Sequence, residues 1–133
     1  MLFAKYNAKD TTVTVNGVNI TGFGEDMLSI DKDEEFFSTS VGAQGDIVKS
    51  EINNSLGTST LTVQVTSPQY AYLLKLAKQS DPFPFWYTNK SLGERSGGTK
   101  ANIKKYPTTN RGSEAEDVEF EFQIFDLTTE RTL

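Results

Sequence analysis

Two stretches of strict alternation between apolar and polar residues constrain the fold of this chain more than any other feature. Residues 59–65 place Leu61, Val63 and Val65 on one side, and a strand expected over residues 117–127 shows the same alternation through residue 124. Successive side chains of a β-strand point to opposite faces, so each stretch predicts a strand with one buried face. The buried set expected for the second stretch is Val118, Phe120, Phe122 and Ile124.

Turn signals between shorter apolar runs extend this pattern along the chain. Residues 11–15 are β-branched and lead into Asn16-Gly17, a dipeptide typical of a tight hairpin, with a returning strand over residues 18–23. Further strands are expected over residues 26–33, 85–88 and 100–106, with turn-rich loops at residues 89–99 and 107–115. The sequence therefore predicts a mainly β fold.

A single amphipathic helix is predicted over residues 68–79. Ser67 is a favoured N-cap residue, and Pro68 is favoured at the first helical position because its missing N–H costs nothing there. Apolar side chains then recur at helical spacing, so we expect them to form one stripe that packs on the sheet as part of the core. The stripe consists of Tyr70, Leu73, Leu74 and Ala77.

The composition restricts the chemistry that this chain can perform. Its 133 residues include no Cys and no His, so disulfides, thiolate ligands and the usual general base at neutral pH are excluded. The acidic run at residues 31–35 lacks the ligand spacing of an EF-hand, and residues 42–46 lack the ending of a phosphate-binding loop. We predict no enzymatic activity, no catalytic residues, no cofactor and no metal site.

Charge and hydropathy restrict the partners in the same way. The net charge is −5, and an acidic chain does not bind nucleic acid by neutralising phosphates. No apolar run approaches the length that spans a membrane, and residues 1–10 lack a signal-peptide core. We expect one soluble domain over residues 1–133, made in the cytoplasm, with no membrane partner.

Two segments carry apolar residues outside the predicted core. A loop at about residues 34–57 is too long for a simple connection, and its apolar residues argue against disorder, so we predict that it contacts another subunit. Residues 1–9, with Leu2, Phe3 and Tyr6, are expected to form a strand or an arm lying on a neighbour. The residues proposed for the inter-subunit loop are Phe36, Phe37, Val41, Ile47 and Val48.

Carboxylates form a stripe on the polar side of the last strand. Asp117, Glu119 and Glu121 recur at period two and therefore share one face of the sheet. This face is expected to meet either solvent or the lumen of an assembly.

Residues 28–77 carry a resemblance to a known family. They combine a Gly-rich polar loop, an alternating strand, a Ser-Pro helix start and paired leucines, in an order that resembles the tail tube proteins of contractile-tailed bacteriophages. The layout is also similar to that of the haemolysin-coregulated proteins of type VI secretion. The residues that carry the resemblance are Phe36-Phe37-Ser38-Thr39, Gly42-Ala43-Gln44-Gly45-Asp46, Leu61-Thr62-Val63-Gln64-Val65, Thr66-Ser67-Pro68 and Leu73-Leu74.

The resemblance implies a fold and a function. The expected fold is a small β-barrel or two-sheet sandwich flanked by one helix. Six copies would form a ring, and rings would stack into the inner tube of a phage tail, with the loop at residues 34–57 reaching a neighbour. The implied partners are further copies of the chain, the tail sheath and the tape-measure protein. DNA would pass through without specific binding, and the protein would be made in the host bacterium and reside in the virion tail.

Two other functions remain open at this point. One is a ring-forming tube terminator or baseplate component of a related injection machine, which would not stack indefinitely. The other is a carbohydrate- or ligand-binding β module that uses Phe85, Trp86 and Tyr87 as a stacking platform. Exposure of Trp86 distinguishes the last alternative, and we expect Trp86 to lie in the core.

Overall fold

The computed structural model describes residues 1–132 and shows a mainly β protein with one α-helix, as the sequence predicts. A short 3-10 helix, Ala8–Asp10, precedes the first strand. The helix α1 spans Tyr70–Leu76. The strands are β1 (Thr11–Val15), β2 (Val18–Asn19), β3 (Phe23–Lys32), β4 (Phe37–Val41), β5 (Ile47–Glu51), β6 (Gly57–Gln64), β7 (Phe83–Asn89), β8 (Glu94–Ile103), β9 (Asp117–Ile124) and β10 (Thr128–Arg131).

Eight strands form one antiparallel sheet, and two form a separate hairpin. The order in the main sheet is β2-β1-β7-β8-β9-β6-β3, with β10 pairing to β8, whereas β4 and β5 pair only with each other. This path has two ends, β2 and β3, so the sheet is not closed into the barrel that the sequence-based expectation allowed. An open sheet leaves unpaired backbone groups at its ends.

The first hairpin follows the turn chemistry of the sequence. Asn16 has φ 53° and Gly17 has φ 79°, the two positive values that a type I′ turn requires. The returning strand is shorter than predicted, ending at Asn19, because the chain bends at Gly22 (φ 72°) before entering β3.

The core lies on one face of the main sheet. Leu61 and Val63 of β6 are fully buried, and the predicted alternation of β9 is confirmed, with its four apolar residues buried and its polar ones facing outward. Phe122 sits at the centre, with its ring 4.7 Å from that of Phe85 and 6.2 Å from that of Phe83 in an edge-to-face contact. The buried apolar residues are Val13, Val15, Ile20, Leu61, Val63, Leu73, Leu76, Phe83, Phe85, Ala101, Ile103, Val118, Phe120, Phe122 and Ile124.

The helix packs on this core but begins later than predicted. Leu73 and Leu76 are buried, and the ring of Tyr70 meets that of Phe120 edge-on. The Ser67 hydroxyl donates 2.6 Å to the Thr21 carbonyl and accepts 3.3 Å from the Gln69 N–H, so it still bonds the backbone just before the helix. Pro68 lies in a turn closed by the Tyr70 N–H, which donates to the Ser67 carbonyl, and α1 starts at Tyr70 rather than at residue 68.

The second half of the chain differs most from the sequence-based expectation. Residues 89–99 were expected to form a loop, but the turn is confined to about residues 90–93, and β8 already begins at Glu94. The strand β10 was not predicted. It pairs with the first half of β8, which β7 borders on the other side, so this half of β8 is held by strands on both edges.

Trp86 does not lie in the core, contrary to the expectation. Along β7 it points to the face opposite to Phe85, where the Arg95 guanidinium lies 3.6 Å from the centre of its ring. This contact is a cation–π stack that partly covers the indole. Phe85 is fully buried, and Tyr87 points to the same face of β7 as Phe85. The three aromatic residues therefore form no common platform for a ligand.

The core contains one buried hydroxyl without a hydrogen-bond partner among residues 1–132, that of Ser59. Ser59 faces Phe122 on one side and Ile30 on the other. Burying an unpaired hydroxyl costs about 1–3 kcal/mol, so we expect Ser59→Ala to raise the free energy of unfolding by about 1 kcal/mol in urea titrations. Ser67→Ala is the matched control, since it removes a bonded buried hydroxyl and should lower that free energy by a similar amount. A loss of stability in Ser59→Ala would contradict the prediction.

Candidate assembly surfaces

The predicted inter-subunit loop is an ordered β-hairpin, formed by β4, β5 and their connection, which we call the arm (residues 36–52). Ile52 N–H donates 2.9 Å to the Phe36 carbonyl at its base. At its tip, Gly42 N–H donates 2.8 Å to the Asp46 carbonyl, with Gly45 at φ 92°. The prediction of an irregular loop was therefore wrong, because β4, which is rich in Ser and Thr, pairs in register with β5.

The apolar residues predicted for a contact are all exposed on the arm. Val41 and Ile47 are directly opposite each other beside the tip and are 67% and 70% exposed. Val48 lies on the other face, while Phe37 is covered in part by Lys49, whose Nζ is 4.6 Å from the ring centre. Phe36, at the base, is 72% exposed. Val41, Ile47 and Val48 of the arm thus present apolar side chains that the rest of residues 1–132 leave mostly exposed.

The predicted acidic stripe lies on the outward face of the main sheet, beside a row of threonines. Asp117, Glu119 and Glu121 pair with Gln64, Thr62 and Thr60 of β6, respectively. Lys104 lies 3.3 Å from Glu121 and neutralises part of the stripe. We call this surface the polar face; its carboxylates are Asp31, Asp33, Asp117, Glu119 and Glu121.

Hydrogen bonds tie one of these carboxylates into the polar face. Asp33 accepts 2.6 Å from the Thr58 hydroxyl and 3.1 Å from the Gln123 amide. These bonds, first that of Thr58 and then that of Gln123, lower the pKa of Asp33, with a small further contribution from Lys104. The carboxylate therefore stays charged to lower pH than an isolated aspartate.

A cleft of about 1370 Å³ opens beside β3, and no sequence pattern predicts it because its walls come from distant parts of the chain. Leu28 and Ile30 line it from β3, and Tyr87 from β7. The Tyr87 hydroxyl donates 3.2 Å to Glu94, and burial together with this carboxylate raises the pKa of Tyr87. The other charged residues at its walls are Glu25, Asp26 and Lys32.

The segment before the 3-10 helix, residues 1–7, forms no regular structure and packs poorly on its own domain. Leu2 and Phe3 are 93% and 83% exposed, although Tyr6 reaches the wall of the cleft. The expectation that this segment lies on a neighbour is not tested by a single chain.

Within residues 1–132 no group of acidic side chains is arranged to hold a metal ion. No helix in that range is both long and apolar enough to cross a bilayer.

Proteins similar to this chain were found only by comparison with solved structures. No protein-family model matches the chain, and no curated protein matches it. A chain from the sheath/tube terminator of the PVC extracellular contractile injection system is similar, with a TM-score of 0.69, 10% identity, and coverage of 98% of this chain and 99% of that chain.

Two further solved structures share the fold. A chain of the PVC sheath-tube complex in the extended state has a TM-score of 0.65, 12% identity, and coverage of 96% of this chain and 93% of that one. The tube-terminating cap of the anti-feeding prophage has a TM-score of 0.58, 13% identity, and coverage of 99% and 95%. These likenesses span nearly the whole of each chain, and they show that this chain has a mainly β, tail-tube-like fold.

Proposed function

We propose that this chain is a structural, non-enzymatic component of the tube of a contractile phage tail or related injection machine. Copies of the chain assemble into a hexameric ring, and rings stack into a conduit. The observation that carries the proposal is the arm, an ordered hairpin whose apolar side chains, such as Val41 and Ile47, find no cover in their own domain. Apolar patches of this kind are typical of protein interfaces.

The open sheet supports the same function. β2 and β3 end the sheet with unpaired edges, which are a hazard in a monomer and are useful when neighbouring subunits continue the sheet. A head-to-tail contact made through such an edge closes a ring, and a repeated contact between rings gives a filament. In this arrangement the polar face lines the lumen, where Glu119 and its neighbours repel a nucleic acid cargo. The sheath and the tape-measure protein are the further partners.

A tube terminator is the second candidate function. Two of the similar solved structures are a sheath/tube terminator and a tube-terminating cap. A terminator uses the same arm and the same ring contacts but caps a stack instead of extending it. The two candidates therefore differ in how many rings associate, while the surfaces within one ring are shared.

Negative-stain electron microscopy of the purified protein at high concentration tests the proposal. We expect rings, because the arm and the sheet edges are present in every copy. Long stacks of rings would identify the tube protein, and single rings or short closed stacks would identify the terminator. Monomers at all concentrations, with analytical ultracentrifugation in agreement, would refute both.

A further inference from the structure

We propose that residues 1–5 of a second copy bind in the cleft as an added strand on the free edge of β3. This inference rests on the proposed ring assembly and names one contact within it.

The segment would pair with the free edge of β3. This strand pairs with β6 on one side and ends the sheet on the other, and its residues 25–30 line the cleft. The register shifts between Phe23 and Leu28, which makes an irregularity typical of a sheet edge. An unpaired edge binds an extended segment through main-chain hydrogen bonds, with pockets for alternate side chains.

The segment matches this edge in length and brings an apolar side chain to each face of it. Five extended residues span about 17 Å, most of the length of the six residues of β3 at the cleft. Leu2 and Phe3, which are almost fully exposed in the monomer, point to opposite faces of an extended segment. Leu2 then packs on Leu28 and Ile30, which share one face of β3 and are only half-buried. Phe3 packs on Met27, so the added strand buries apolar surface on both faces.

Charge favours this segment over the other exposed apolar element, the arm. The cleft walls carry Glu25, Asp26 and Glu94, while Lys32 already donates to the Asn54 carbonyl. Residues 1–5 carry Lys5 and no carboxylate.

The arm, by contrast, carries Asp46 and Glu51, and its Lys49 is paired with Glu51 at 3.6 Å. An acidic cleft attracts the basic segment and repels a segment that brings carboxylates.

Connectivity favours a second copy over the same chain. Tyr6 and Ala8 already line the cleft, and the chain then leaves it, with Met1, Leu2 and Phe3 surrounded by solvent. The floor at Leu28 therefore stays uncovered in the monomer. A segment that leaves its own domain and enters the next makes a head-to-tail contact, which is the kind that closes a ring.

Cysteine cross-linking tests the contact cleanly because the chain contains no Cys. Phe3→Cys and Met27→Cys are made as separate variants with different tags, mixed before assembly and oxidised. We expect a disulfide between the two different chains, formed about 100-fold faster than with the control Thr109→Cys, since docking raises the effective concentration. Glu25→Cys and Ser29→Cys repeat the test at neighbouring positions of β3.

Three outcomes decide the inference. Cross-links between different chains at one or more of the β3 positions support it. Rings without any such cross-link overturn it and leave the proposed function standing. A double variant, Phe3→Cys with Met27→Cys, that forms its disulfide only within one chain also overturns it. Absence of rings in the unmodified protein is a separate result, which refutes the proposed function itself.

Charge reversal provides an independent readout. We expect Lys5→Glu to weaken ring formation about tenfold, and Asp26→Lys in the same chain to restore it, since the pair is reversed as a whole. Both positions are exposed, so the monomer should unfold at an unchanged temperature. A loss that Asp26→Lys does not restore argues that Lys5 acts elsewhere and overturns this part of the contact.

Discussion

Val41→Asp combined with Ile47→Asp is expected to leave a folded monomer that no longer forms rings. Both side chains lie on one face beside the tip of the arm and are about two-thirds exposed in the monomer, so the substitutions remove no core contact. In an assembled interface each change would bury a charge in place of an apolar anchor, at a cost of about 2 kcal/mol or more. Together they should raise the dissociation constant by about 1,000-fold.

Sedimentation velocity and electron microscopy measure the loss of rings, and circular dichroism with thermal unfolding checks the fold. The matched control is Thr109→Asp combined with Asn110→Asp, which adds the same charge in an exposed loop. Rings formed by Val41→Asp/Ile47→Asp at the concentrations that suffice for the unmodified chain would show that the arm is not the assembly surface.

The elements that could be predicted from sequence are those set by local rules. The alternation of β6 and β9 survives in the structure because a strand's side-chain period is fixed by its backbone geometry. The first hairpin follows from Asn16 and Gly17, since few other residue pairs adopt two positive φ values. In each case the residues that decide the structure are adjacent in the chain.

The elements that were missed are decided by contacts between distant residues. Ser67 has the sequence of a helix cap, and its hydroxyl accepts from the Gln69 N–H, but it also donates to the Thr21 carbonyl, 46 positions away, and the helix begins only at Tyr70. β8 has weak strand character around Gly97 and Gly98, yet β7 and β10 supply a partner on either side. Propensity is a weak prior wherever tertiary pairing is this extensive.

The candidate surfaces also differ in whether local sequence patterns reveal them. The apolar residues of the arm could be found from sequence because they lie in a long segment outside the predicted core. The carboxylates of Asp117, Glu119 and Glu121 could be found because they recur at period two along one strand. The surroundings of these carboxylates could not be found from sequence, since Lys104 and Asp33 reach the polar face from other parts of the chain. The cleft has no sequence signal at all, because β3 and β7, which both line it, are distant in the chain and separated by three strands in the sheet.

The largest single effect on stability is expected for Gly97→Ala. Gly97 has φ 143°, a backbone conformation that residues with a side chain rarely adopt. A Cβ atom built there would lie 2.1 Å from the Phe85 carbonyl oxygen and 3.0 Å from the Cα of Trp86, both in the neighbouring strand β7. These are backbone atoms, so relief of the clash requires β7 and β8 to separate.

Strained backbone and an overpacked contact each cost about 1–3 kcal/mol, so we expect Gly97→Ala to lower the free energy of unfolding by about 4 kcal/mol. Urea unfolding followed by the fluorescence of Trp86 measures the change, because this residue lies directly opposite Gly97. Gly112→Ala is the matched control: its added Cβ would be 3.6 Å from the nearest atom, in an exposed loop, and the change should stay within about 0.5 kcal/mol. Equal stability of the two variants would mean that β7 and β8 can move apart without loss. The close strand contact at Gly97 would then not be what fixes the first half of β8, which was expected to be a loop, in the sheet.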